Sequence, residues 1–276
     1  MTTADPRADL KAVESLLAFW AEAGVDAAYA EEPIDRVAEG KARLLARPAA
    51  PAPPAAVSRG RAAAPQPDIA AGLAEARALA AAAGDLEALA AAIAAFDGCG
   101  LKREGATQAV FARGNPNAEL MIVGEGPGAD EDRQGKPFVG RAGQLLDRML
   151  KAAGLEDRVF ITNTVFWRPP GNRTPTPAEQ AVCAPFVERA IELVKPQMLM
   201  FAGGASAKAM LKVDEGILSL RGRWFDWKAE TGDGHALPAM PTLHPAFLLR
   251  QPAAKKKAWI DLLTLTERLD RPSRPH

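Results

Sequence analysis

From about residue 107 the chain alternates short apolar runs with longer stretches of helical periodicity. The runs at 118–123, 158–165, 197–202 and 239–243 are rich in Val, Ile, Leu, Met and Phe, as strands buried on both faces are. Between and after them, 142–153, 177–194, 205–211 and 255–269 have the spacing of amphipathic helices. Thr176 before Pro177, with Glu179 in the first turn, marks a helix start. Strands separated by helices predict parallel βαβ units. The expectation is a three-layer α/β/α domain with a four-stranded, mainly parallel sheet. Residues 214–238 are less regular and leave room for an extra hairpin around Leu220 and Trp224.

The first third reads differently. Leu10, Val13, Leu16, Leu17 and Trp20 fall on one helical face within 8–23, and a shorter helix fits 34–45, which makes 1–45 a helical extension. Residues 46–67 are dense in Ala and Pro, which favours hydrated, extended backbone, and the expectation is a disordered linker. Residues 68–96 are Ala-rich and helical by propensity, with a break at Gly84-Asp85. The α/β domain is then expected over 97–276.

A chain of 276 residues has room for one sizeable domain and an appendage. No apolar run reaches the roughly 20 residues that span a bilayer, and the first residues lack the basic-then-apolar layout of a secretory signal. Two cysteines, Cys99 and Cys183, are too few for a secreted disulfide framework. A cytoplasmic location is expected. Formal net charge is zero, which argues against indiscriminate nucleic-acid binding, but the average hides an asymmetry. Residues 1–100 hold 9 Lys/Arg against 14 Asp/Glu, whereas 101–276 hold 25 against 20. The basic excess suits a phosphate-contacting face, and a mixed solvated surface equally well.

Candidate chemistry sits at the strand ends. After Leu120-Met121-Ile122-Val123 comes Gly124-Glu125-Gly126-Pro127-Gly128, and ten residues later Phe138-Val139-Gly140. This is neither a phosphate loop, lacking Gly-Lys-Ser/Thr, nor a dinucleotide fingerprint. A glycine-rich loop between strand and helix is where an α/β sheet places a ligand. Two further segments are Thr162-Asn163-Thr164, running on to Arg168-Pro169-Pro170-Gly171-Asn172-Arg173, and Leu243-His244-Pro245-Ala246-Phe247-Leu248-Leu249-Arg250. An aromatic ring, a carboxamide and an imidazole meeting at one sheet edge would suit an extruded nucleobase, stacked on one face and read along one edge.

In that order and spacing the three segments resemble the family 4 uracil-DNA glycosylases, over about residues 96–265. The resemblance implies excision of uracil from deaminated DNA by hydrolysis of the N-glycosidic bond, with uracil-containing DNA as partner and the chain acting as a monomer. It implies that Asn163 reads the uracil edge, that Phe138 stacks on it, and that Glu125, Gly126 and Pro127 line the pocket. His244 would stabilise charge developing on the base. Glu131 would position water, stabilise the cationic sugar or crowd out thymine; Glu125 joins His244 and Glu131 as a candidate catalytic group. Leu248 and Leu249 would fill the space left by the flipped base, and Arg250, Arg168 and Lys255 would contact phosphates. Each residue has a plainer reading: Asn163 as a turn cap, Phe138 as core, His244 bonded to backbone, Glu131 in a solvated ion pair, Leu248 and Leu249 as the start of a helix.

The chain departs from the family at one place. Many members hold a 4Fe–4S cluster on four cysteines, and the matching positions here are Phe96, Cys99, Trp167 and Cys183. A cubane cluster normally needs four thiolates. The expectation is no cluster and no other cofactor, with Phe96 and Trp167 filling the vacated volume. Two other readings remain: a catalytically lapsed DNA-binding or repair scaffold, and a glycosylase for another deaminated base such as hypoxanthine.

Overall fold

A computed structural model of the chain describes residues 35, 69–230 and 236–271. The helices expected at 8–23 and 34–45 and the linker at 46–67 lie outside the described residues, Asp35 excepted.

The described chain begins with a helical pair, α1 (Ile69–Ala82) and α2 (Leu86–Ala95), separated at Gly84-Asp85. Asp85 caps α2 by accepting from the Ala88 amide, which relieves one of the unpaired amides of the first turn. The sheet strands are β1 (Ala112–Gly114), β2 (Leu120–Gly124), β3 (Val159–Asn163), β4 (Met198–Ala202), β5 (Phe225–Trp227) and β6 (Leu237–Thr242). The remaining helices are α3 (Ala129–Gln134), α4 (Arg141–Ala152), α5 (Pro177–Val194), α6 (Gly204–Leu211), α7 (Ile217–Leu220), α8 (Pro245–Arg250) and α9 (Lys255–Asp270).

Strand order is β1-β3-β2-β4-β6-β5. The four inner strands are parallel and are the four expected from the apolar runs. The count of four needs correction to six. Short β1 and β5 add antiparallel edges, each three residues long, too short to show an alternating pattern. The hairpin expected in 214–238 is β5 against β6, approached through the short helix α7.

Alternate residues of the inner strands feed two cores. Met121, Val123, Phe160, Leu199 and Phe201 face a core shared with α1, α2 and α5. Leu120, Ile122, Ile161, Met198 and Met200 face one shared with α4 and α9. Helices therefore cover both sheet faces, and both strand faces had to be apolar. Leu89, Ile93 and Phe96 are wholly buried in the first core, so residue 97 marks no break in packing. No described helix is long and apolar enough to cross a membrane.

Candidate active site

Because β3, β2, β4 and β6 run parallel, their C-terminal ends open on one edge of the sheet. There β3 ends at Asn163, β2 at Gly124, and β6 two residues before His244. A cavity of about 470 Å³ at this edge is lined by Glu125, Gly126, Pro127, Glu131, Phe138 and His244, among others. Three segments far apart in sequence thus meet at one edge, although Asn163 itself is not part of the lining.

Gly124 and Asn163 are register partners across β2 and β3. A Cβ at Gly124 would lie 2.4 Å from Asn163 Oδ1 and 2.5 Å from Phe138 Cε2, so only glycine lets carboxamide and ring come this close. Asn163 is 1% exposed, yet neither Oδ1 nor Nδ2 has a hydrogen-bond partner. An orphaned buried amide costs about 1–3 kcal/mol, and the cost is recovered if a ligand supplies the missing donor and acceptor.

The neighbouring loops are tied down. The Thr164 hydroxyl donates to the Glu125 carbonyl (2.6 Å), the Ser206 hydroxyl to the Val123 carbonyl (2.6 Å) and the Thr164 amide to the Gly124 carbonyl (2.9 Å). The end of β6 is pinned by buried Asp261 of α9, which accepts from the Thr242 hydroxyl at 2.7 Å and pairs with Arg221. Phe138 is held with φ at 54°, left-handed backbone that costs about 1–2 kcal/mol in a non-glycine residue.

His244 caps α8: its Nδ1 accepts from the Ala246 amide at 3.1 Å. Nδ1 is therefore the bare nitrogen and Nε2 carries the proton of the neutral ring. Burial is the main cause that pulls the imidazole pKa down to about 4; the charge of Arg250 adds to it and Glu131 opposes. The ring stacks on Phe138, centroids 5.5 Å apart.

Glu131 lines the cavity, but its oxygens hold backbone. Oε1 accepts from the amides of Val139 (2.9 Å) and Gly140 (2.8 Å), Oε2 from that of Gly128 (3.1 Å). Arg250 is exposed at the rim, Arg168 donates from Nε to Asn172 Oδ1, and Lys255 is exposed in the first turn of α9. Leu248 requires correction: it is 0% exposed and packs with Leu145, Leu243 and Ala258. Short helix α8 turns it inward, where it cannot enter a base stack; Leu249 is half-buried against the same cluster. Sequence reasoning passed over Arg173, a cavity wall fixed by Glu179 at 2.6 Å and 2.9 Å; the capping glutamate of α5 was its only signal.

On the far side of β3, Trp167 and Phe96 are 1% exposed and pack with Phe166 and Phe186, Phe96 to Phe186 centroids lying 5.2 Å apart. Cys99 and Cys183 are wholly buried free thiols, and burial pushes the Cys183 thiol well above its ordinary value. Two thiols and two buried rings do not make the donor set of a cubane cluster. Among the described residues no group of three or more His, Cys, Asp or Glu could hold a metal ion.

A parallel sheet whose C-terminal edge carries an aromatic ring, an unpaired carboxamide and a neutral imidazole has the parts that a nucleobase-binding α/β enzyme needs. The model of the uracil DNA glycosylase superfamily matches residues 111–263. The type-4 uracil-DNA glycosylase of Sulfurisphaera tokodaii is 42% identical over 156 residues, 54% of this chain and 70% of that protein. That of Thermotoga maritima is 40% identical over 146 residues, 52% of this chain and 73% of its own. The chain belongs to the uracil-DNA glycosylase superfamily and, within it, to family 4.

Proposed function

We infer that the chain is a uracil-DNA glycosylase that hydrolyses the N-glycosidic bond of deoxyuridine in DNA, leaving free uracil and an abasic site. The observation that carries this reading is the buried, unpaired carboxamide of Asn163 beside Phe138. Uracil N3–H would donate to Oδ1 and O4 would accept from Nδ2, restoring what burial removed. Breaking the bond from C1′ to N1 leaves the electron pair on the base, with charge reaching O2, and cationic character on the sugar. The Nε2–H of neutral His244 is a preorganised donor for O2. The carboxylates of Glu125 and Glu131 would favour the cationic sugar from the cavity border, while water adds at C1′ and its released proton ends on the departing uracil anion. With its oxygens on three amides, Glu131 acts here through charge and position rather than as a free base.

DNA would lie across the cavity mouth, held at phosphates by Arg250, Arg168 and Lys255, the chain acting as a monomer. Lys255, Lys256 and Lys257 open α9, where the helix dipole disfavours cations, and phosphates would reverse that penalty. The same reading has the protein working without a cluster, its place taken by the Phe96 and Trp167 side chains. Stoichiometric iron and sulfide in anaerobically purified protein would overturn that part.

A uracil-containing oligonucleotide treated with enzyme and then alkali is expected to break at the uracil position. An intact strand, with DNA bound, would favour the scaffold reading; cleavage at hypoxanthine but not uracil would favour another base.

A further inference from the structure

Two charged side chains grip the backbone at and just after Phe138. Arg113, on edge strand β1, donates from Nε to the Pro137 carbonyl (2.8 Å) and from Nη2 to the Phe138 carbonyl (3.1 Å) and to Asp147 on α4 (2.6 Å). Glu131 takes the amides that follow, Val139 and Gly140. Beneath them α4 presents Gly143, where a Cβ would lie 1.7 Å from the Phe138 carbonyl oxygen. The backbone at Phe138 is left-handed, so local torsional preference does not hold the ring where it is.

We propose that Arg113 is a positioning residue for base excision, and that with Glu131 it forms a clamp setting the Phe138 ring against the extruded base. The proposal rests on the uracil reading. One planar guanidinium serves two carbonyls and a carboxylate at once, a geometry a lysine ammonium on a flexible stem does not reproduce. Arg113 lies outside the cavity wall and reaches the chemistry only through the stacking ring. A ring shifted by a fraction of its width misaligns the base while leaving phosphate contacts intact.

The full chain and its Arg113→Gln, Arg113→Lys and Glu131→Gln variants are compared in four measurements. These are single-turnover uracil release at saturating DNA, inhibition by free uracil, affinity for DNA carrying a tetrahydrofuran abasic analogue, and amide hydrogen exchange at Val139 and Gly140. For Arg113→Gln and Glu131→Gln the expectation is a loss of about tenfold or more in the first two and faster exchange at both amides; for Arg113→Gln, outside the cavity wall, abasic-DNA affinity should stay within about twofold of wild type. Arg113→Lys should recover only part of the loss. Folded Arg113→Gln and Glu131→Gln with wild-type release, uracil inhibition and exchange would overturn the clamp. If Arg113→Gln does not fold, Asp147→Asn, which unhooks the outer anchor of the guanidinium, takes its place with the same signature at smaller amplitude; its silence alongside Glu131→Gln would be equally fatal. A wild type inactive on uracil would sink the functional reading instead, and the exchange rates would still judge the clamp.

Discussion

At the sheet edge Asn163 is buried with both amide atoms unpaired, whereas around Trp167 each large ring meets another and the two cysteines are buried free thiols. The two regions flank the same strand, β3, and the chain leads from Asn163 to Trp167 in four residues. One holds polar capacity in reserve for a ligand; the other is filled by apolar rings. On the proposed reading, the difference teaches that the family's cluster position and its base-binding edge would be separable: apolar packing would replace the first while the second keeps its ring, amide and imidazole.

Trp167→Ala tests that separability hardest. Emptying a fully buried indole should cost about 3–5 kcal/mol in denaturant unfolding, with uracil release per folded molecule unchanged at low temperature. A slower release from folded protein would break the comparison, since the packing would then be tuning the cavity. On the cavity side, His244→Ala should slow the chemical step by about 100- to 1000-fold, the usual loss for a preorganised donor, with a smaller loss of stability, about 1 kcal/mol, from the missing cap of α8. If binding of abasic DNA fell as far as the rate, His244 would be a DNA contact instead.

The imidazole also gives the cavity a pH signature. Its folded pKa, about 4, lies below the ordinary 6.5, so the unfolded chain binds the proton first. Stability from this group is complete above pH 6.5 and is lost as pH falls toward 4, by about 3 kcal/mol at 1.36 kcal/mol per unit. Melting curves across that window should show the loss in wild type and not in His244→Gln; parallel curves would mean the ring titrates normally. Asn163→Asp should lower uracil release by about 10- to 100-fold, the ~1–3 kcal/mol of a mispaired buried group, and change base preference. An unchanged preference would return Asn163 to the role of a turn residue.

The inner strands could be read from sequence because burial on both faces leaves continuous apolar runs such as Leu120 to Val123. Helix α5 was legible to its ends because Thr176, Pro177 and Glu179 announce its start. Helix α3 was not: its six residues, Ala129–Gln134, are nearly all polar and show no period. Leu248 was misplaced for a related reason. In the short helix α8 only docking against α4 and α9 decides which leucine turns inward, and that contact has no local signature. Motifs pointed to the ring, amide and imidazole as candidates, whereas Arg113 engages mostly backbone carbonyls, which any sequence supplies.

The shared interior of α1, α2 and α5 carries a practical consequence for anyone trimming this protein. A version starting at Asp97 would keep every residue of the cavity and still lose Leu89, Ile93 and Phe96 from beneath Phe186. The uncovered flank would be greasy and sticky, and such a fragment should be recovered as aggregate, whereas one starting just ahead of Ile69 should remain dispersed.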